Sequence, residues 1–296
     1  MQFLSAAENK LLFLSSILMI MSECISRVFI ENGTIKDSSV FDLAKVFEDE
    51  VVYEVIRLRD GIPVFLEDHY ERLASSAAYG GHELLLSDTQ LASHIIKLRE
   101  LSGIKDGNIK ISLKYSPSYT GYLIYFINAR YPGPEMYDRG VTGILYYAER
   151  RNPVAKVFNH KLRSSIYSEL IQTGAYEALL VNRSGCITEG SRSNIFFIRG
   201  NKIITAPGDC VLGGITRKKI LQICRDDRLD LDFRCVHAGE LGGMDAVFMT
   251  GTSPNVLPFR EISSNIFNVK NERMLALAGR YMQMIREYIN NFENKI

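Results

Sequence analysis

Short runs of apolar and polar residues succeed one another along the chain with the periods of strands and helices. Arg27–Glu31 and Thr34–Lys36 flank Asn32-Gly33, a dipeptide suited to a turn in which both residues need positive φ, so the pair reads as a hairpin. Val51–Leu58 predicts a strand that turns at Asp60-Gly61 and returns through 62–66. A helix follows from Glu67, with acids in its first turn and a packed face of Leu66, Tyr70, Leu73, Ala74 and Ala77. Ser87 caps a second helix lined by Leu91, Ile95, Leu98 and Leu101. Strands at 108–115 and 122–129 complete an α+β unit. Arg130-Tyr131-Pro132-Gly133-Pro134-Glu135 then continues neither helix nor sheet and reads as a linker.

Beyond the linker, strands are expected at 141–147, 177–181, 194–198, 202–205 and 245–249, and helices at 164–175, 216–225 and 272–290. The last helix carries Met274, Leu277, Tyr281, Ile285 and Tyr288 along one side. The expected organisation is a tail or over-long start at 1–21, a small α/β domain at 22–130, a linker at 131–140 and a larger domain at 141–296.

Composition narrows the class. Of 296 residues, 46% are hydrophobic and 23% charged, with a net charge of +1, the balance of a soluble globular protein with no call for nucleic acid. Five cysteines without CxxC spacing argue against a disulfide framework or a zinc site and for a reducing cytoplasm. The apolar run 11–21 is shorter than the roughly 20 residues that span a bilayer. It lacks a clustered basic flank and a good cleavage site, so neither membrane insertion nor secretion is expected.

Three segments carry chemistry. Lys161, in Asn159-His160-Lys161, is placed where an extended segment gives way to a helix; a lysine there can condense with an aldehyde once burial or neighbouring cations lower its pKa. Glu189 comes 28 positions later within Thr188-Glu189-Gly190, at the end of a strand, where an acid can hold a protonated ring nitrogen. Gly213-Gly214-Ile215-Thr216-Arg217 opens a helix, and the N–H groups of Ile215 and Thr216 with the Thr216 hydroxyl can cradle phosphate. Each feature alone has an ordinary reading: a solvated lysine, a turn acid, a loop before a helix.

Together, and with Ser193-Asn194-Ile195-Phe196 completing a Glu-Gly-x-x-x-Asn-x-Phe pattern, they resemble fold-type IV pyridoxal-phosphate enzymes. That class includes branched-chain and D-amino-acid aminotransferases and aminodeoxychorismate lyase. The resemblance spans roughly residues 26–290. It implies a small N-terminal α/β domain, a larger pseudo-barrel domain, pyridoxal 5′-phosphate in the cleft between them, and a homodimer. It also implies that Lys161 is the Schiff-base lysine and that Glu189 faces the pyridine nitrogen. Arg72, in Glu67-Asp68-His69-Tyr70-Glu71-Arg72-Leu73, then matches the phosphate-pairing arginine, and Thr252, in Thr250-Gly251-Thr252-Ser253-Pro254, a second hydroxyl donor.

The departures bear on substrate. Glu48-Asp49-Glu50 stands where many relatives have Gly-Asp-Gly, which changes the wall beside Tyr53. Tyr115-Ser116-Pro117 stands where the D-amino-acid branch has its Arg-x-His carboxylate trap; Lys110 and Arg163 are the candidate replacements, with Ser253 as a further substrate contact. Asn255 stands where relatives often carry an acid. The leading expectation is transfer of an amino group between an amino acid, branched-chain type first, and a 2-oxo acid. The alternatives are a lyase releasing pyruvate from 4-amino-4-deoxychorismate, toward which Arg151-Asn152-Pro153 leans, and a non-catalytic relative acting as a binding module.

Overall fold

A computed structural model describes residues 23–47, 51–129, 131–150 and 152–292. The tail 1–21, Glu48-Asp49-Glu50, Arg130 and Arg151 lie outside the described residues.

The first half forms a six-stranded antiparallel sheet in the order β2-β1-β6-β5-β3-β4. Its strands are β1 (Val28–Glu31), β2 (Thr34–Asp37), β3 (Val52–Arg59), β4 (Ile62–Pro63), β5 (Gly107–Ser116) and β6 (Tyr119–Ile127). The hairpin turn between β1 and β2 is made as expected, with Asn32 at φ 49° and Gly33 at φ 80°. A helical turn, α1 (Ala44–Phe47), precedes β3, and helices α2 (Leu66–Tyr79) and α3 (Asp88–Ser102) follow β4. Ser87 caps α3 with a reciprocal capping box to Gln90. One sheet face packs Ile56, Leu58, Ile109, Ile111 and Phe126 against Leu73, Leu91, Ile95 and Leu98 of these helices. Leu101, expected on that packed face, is instead 47% exposed. On α2, His69 and Ser76 are buried beside Leu73 and Ala77, because part of the helix faces the cleft rather than the sheet core.

Where a plain linker is expected, Pro134 opens a short helix, α4 (Pro134–Arg139), from N-cap Gly133. The second sheet has ten strands, curls into a half-barrel and runs β12-β11-β10-β14-β15-β7-β8-β9-β13, with β16 on β15. Its strands are β7 (Val141–Tyr147), β8 (Glu177–Val181), β9 (Cys186–Gly190), β10 (Asn194–Arg199), β11 (Lys202–Thr205), β12 (Asp230–Phe233), β13 (Val236–His237), β14 (Ala246–Gly251), β15 (Asn255–Ile262) and β16 (Asn265–Ile266). Three helices cover it: α5 (His160–Thr173), α6 (Ile215–Asp226) and α7 (Glu272–Phe292). Phe196, Phe248, Ile220, Met274, Leu277 and Tyr281 form the core between the sheet and α6 and α7. Ile187, Phe197, Met249, Leu257 and Phe259 fill the opposite side of the sheet.

The two sheets meet along the free face of β3 and β5. There Lys156–Phe158 runs beside the start of β3: the N–H of Tyr53 donates to Lys156 O (3.0 Å) and the N–H of Phe158 to Val51 O (2.9 Å). A second tie joins α2 to α6, where Lys218 and Lys219 both reach Asp68 at 2.6 Å.

Candidate active site

Helix α5 starts four residues before the expected position. Asn159 supplies the reason: its side chain accepts the N–H of Leu162 at 3.1 Å, an N-cap placed just ahead of His160. Lys161 therefore falls in the first helical turn and is exposed. The lysine at the end of the extended segment is Lys156, 33 positions before Glu189. The structure thus places Lys156, rather than Lys161, beside Tyr53.

Three features hold Lys156 there. Its carbonyl is bonded to β3, its N–H donates to Ser76 Oγ at 3.1 Å, and its ammonium stands 4.7 Å over the Tyr53 ring. Burial pushes the amine below its ordinary pKa; the charges of Arg72 and Arg163 act in the same direction, against those of Tyr53 and Glu54. This is the electrostatic setting in which a lysine keeps a neutral, nucleophilic fraction.

Glu189 comes from the opposite sheet, at the end of β9, and is 2% exposed. Glu177 pins the turn that follows, accepting from the N–H of Ser191 (3.1 Å) and the Ser193 hydroxyl (2.9 Å). The Glu189 carboxyl accepts the N–H of Leu212 at 3.1 Å and lies 3.4 Å from Arg150. Burial raises its pKa, against the lowering effect of Arg150, Leu212 and Lys156.

The Leu212 contact leads into the glycine pair. Asn194 donates to Leu212 O at 2.8 Å, and a Cβ on Gly214 would lie only 2.0 Å from Asn194 Oδ1. A side chain there would force Asn194 to move. Gly214 is the N-cap of α6 and brings no side-chain cap, so the first N–H groups of that twelve-residue helix keep their capacity for an anion. The Thr216 hydroxyl, 2% exposed, shares a 3.1 Å hydrogen bond with the Tyr281 hydroxyl. Thr216 and Thr252 line one narrow cleft with His69, Ile215, Arg57 and Arg59.

Arg72 does not pair with Asp68, its neighbour one turn earlier, which is taken by Lys218 and Lys219. It forks onto Glu54 of β3 (Nε to Oε2 2.8 Å, Nη2 to Oε1 2.5 Å) and donates from Nη1 to Gly213 O at 3.1 Å. The guanidinium thus joins the first sheet to the glycine pair of the second. Glu54 also accepts from Val55 N–H and contacts His69 at 3.1 Å. Despite the desolvation that burial imposes, Arg72 and His69 hold its carboxyl well below the usual range.

Of the expected substrate contacts, Tyr53 and Arg163 come together, with Arg163 Nη2 3.2 Å from the Tyr53 hydroxyl. Lys110 is nearby but its ammonium is paired with Glu23. Ser253 accepts from Asn108 at 2.8 Å and lines an adjoining groove of about 360 Å³ with Arg57, Arg59, Tyr131 and Asn255. Sequence reasoning missed Lys156, Glu54, His69 and Arg150. The missed signal for Lys156 is the N-cap Asn159; Glu54 and His69 announce themselves only through each other.

A small antiparallel sheet and a large curled one, with these groups between them, define fold-type IV. Residues 51–262 match the family Amino-transferase class IV, and the chain belongs to it. D-alanine aminotransferase of Bacillus licheniformis is 30% identical over 235 residues, covering 71% of this chain and 78% of that protein. Aminodeoxychorismate lyase of Bacillus subtilis is 26% identical over 256 residues, covering 81% and 87%. The T.th. branched-chain amino acid aminotransferase, solved with pyridoxamine 5′-phosphate, superposes with a TM-score of 0.78 at 22% identity, covering 89% of this chain and 96% of that one. Relatives with different reactions stand at similar identity, so likeness alone leaves the reaction open.

Proposed function

We propose that this chain is a pyridoxal-phosphate-dependent aminotransferase that moves an amino group between an amino acid with an uncharged, branched-chain-type side chain and a 2-oxo acid. The observation that carries the reading is the Lys156 amine, held in the cleft over Tyr53 with a lowered pKa, across from the buried Glu189. The residues fit the cofactor. Glu189 has acceptor capacity to spare for a ring N–H, the open start of α6 with Thr216 and Thr252 suits the phosphate, and Arg72 adds a cation beside Gly213.

When bound, pyridoxal phosphate supplies an aldehyde that condenses with amines and a ring that takes up the electrons of the bond broken at the substrate α-carbon. Lys156 Nζ would be the amine that holds the cofactor, and its lowered pKa would suit it as the general base that takes the α-proton and returns it. Glu189, buried from water, would hold a proton on the ring nitrogen by its charge. The Arg163 guanidinium, backed by the Tyr53 hydroxyl, is the carboxylate contact in place of the missing trap. Transamination is favoured over the lyase reaction by the aromatic wall of Phe47, Tyr53 and Phe158, which suits an aliphatic side chain better than a ring bearing further carboxylates. A homodimer is part of the same proposal and is checked by light scattering.

The test is chemical. The loaded protein is reduced with borohydride, digested, and the labelled peptide identified. Lys156 should carry the label; Lys156→Ala should lose both label and turnover, and Lys161→Ala should keep both. A label on Lys161 overturns the assignment. Adding amino acids one at a time to the loaded protein, with an aminodeoxychorismate assay alongside, separates donor classes and the two reactions.

A further inference from the structure

The free face of the first sheet holds a second charged cluster, one step from Tyr53. Paired residues of an antiparallel sheet share a face, so the register Val55↔Lys110↔Tyr125 and Tyr53↔Ser112↔Leu123 places Lys110, Tyr125, Ser112 and Tyr53 on one side. That side faces the cleft, because Lys156 stands over Tyr53. The Lys110 ammonium sits among four rings, 5.2 Å from the centroid of Phe47, 5.6 Å from Tyr53 and Phe158, and 5.8 Å from Tyr125. Its side chain is 5% exposed.

A cation this deep needs a partner, and the chain supplies its own. Glu23 Oε1 accepts from Lys110 Nζ and from the Tyr125 hydroxyl at 3.0 Å, and Ser112 Oγ lies 3.3 Å from that hydroxyl. The segment carrying Glu23 is tethered: the N–H of Ile25 donates to Phe126 O at 3.0 Å, and the Ser26 hydroxyl to Val28 O at 2.7 Å. An ammonium and a phenol, walled by aromatic rings, form a receptor for one carboxylate. Glu23 fills it from within.

We infer that Glu23 is a specificity-determining residue: as the fixed counter-ion of Lys110, it leaves the substrate side-chain pocket neutral and closes it to a second carboxylate. The inference rests on the proposed function only for the statement that this pocket receives the substrate side chain. With Glu23 in place, an acidic side chain meets a carboxylate already bonded to Lys110. Removing the Glu23 charge leaves a desolvated ammonium that an incoming carboxylate can pair. The charge at position 23 therefore selects between uncharged and acidic five-carbon substrates.

The test reads binding rather than turnover. Calorimetry on the loaded protein compares glutarate, an unreactive dicarboxylate, with butyrate, its monocarboxylate counterpart. Wild type should bind glutarate no more tightly than butyrate. Glu23→Gln should bind glutarate about tenfold more tightly or better, the size of one charge-assisted hydrogen bond, with butyrate unchanged. Adding Lys110→Met should erase the gain. An unchanged preference in Glu23→Gln, or a gain that survives Lys110→Met, overturns the inference. So does a wild-type protein that already prefers glutarate by that margin, a measurement that needs no variant to fold. Because borohydride labelling of Lys156 is independent of this binding, either idea can fail while the other stands.

Discussion

Two glutamates are buried, one in each sheet, and their surroundings are opposite. Glu54 of the small sheet has its acceptor positions filled by the Arg72 fork, the Val55 N–H and His69. Its carboxyl is held strongly ionised. Glu189 of the large sheet has one backbone donor at 3.1 Å and a long Arg150 contact at 3.4 Å, and burial raises its pKa. A satisfied buried charge works as a strut, whereas an under-satisfied one keeps a place for a ligand donor. By that criterion Glu54 aims Arg72 at the glycine pair, and Glu189 keeps an open acceptor, which the proposed function assigns to the ring nitrogen.

The sharpest way to break the comparison is Glu189→Gln. The change keeps the size and removes the charge that keeps a ring nitrogen protonated. Maximal rate should fall by orders of magnitude in the half-reaction, while cofactor affinity, carried by Arg72, Thr216 and Thr252, stays tight. A variant with wild-type rate would make Glu189 merely a buried acid. Glu54→Gln should do the reverse in kind: it leaves the Arg72 guanidinium, 10% exposed, without its partner. Removing one member of a buried pair costs about 3–5 kcal/mol, to be read from denaturant unfolding. The pH dependence carries a sign. The Glu54 pKa is lowered in the fold, so its contribution is present above the ordinary carboxyl value of 4.5 and is lost as pH falls through the folded pKa. Wild type and Glu54→Gln should therefore converge in acid. For Glu189 the shift is upward, so it should favour the folded state less as pH rises past 4.5.

How far the sequence showed this differs between the two acids for a physical reason. Glu189 sits in a contiguous run, Thr188 to Phe196, of strand end, turn and strand, and that local pattern singles it out although its partners Leu212 and Arg150 lie 23 and 39 residues away. Glu54 is defined by Arg72 and His69, eighteen and fifteen residues away, and strand alternation says only that its neighbours are buried. The strands were readable wherever both the run and the turn were strong, as in the β1–β2 hairpin. The short edge strands β13 and β16 were not, having two residues each. Lys161 was read as the end of the extended segment because the N-cap, Asn159, lies five residues before the expected helix start. Lys110 was read as a candidate carboxylate contact, and its pairing with Glu23 was not legible because that residue comes from a segment ahead of the first strand.

The smallest expected effect lies at Tyr53, the strand neighbour of Glu54. Burial alone would push this phenol above its ordinary value of 10.0, but the charges of Arg163, Lys156, Arg150 and Lys110 together outweigh it and bring it down to about 7. If so, the protein without cofactor should show one tyrosinate titrating near neutrality in ultraviolet difference absorbance, and Tyr53→Phe should remove it. Lys156→Met should move the midpoint upward, since it deletes the second of the four charges, and Lys161→Met should leave it in place. The linkage follows the same sign as at Glu54. An acid whose folded pKa lies below its unfolded one contributes fully above the unfolded value and loses that contribution as pH falls through about 7. The stability of wild type relative to Tyr53→Phe should therefore rise between pH about 7 and about 10. A flat difference across that range, or a midpoint indifferent to Lys156, would mean that the lysine is not held over the ring, and would remove the geometry on which its assignment rests.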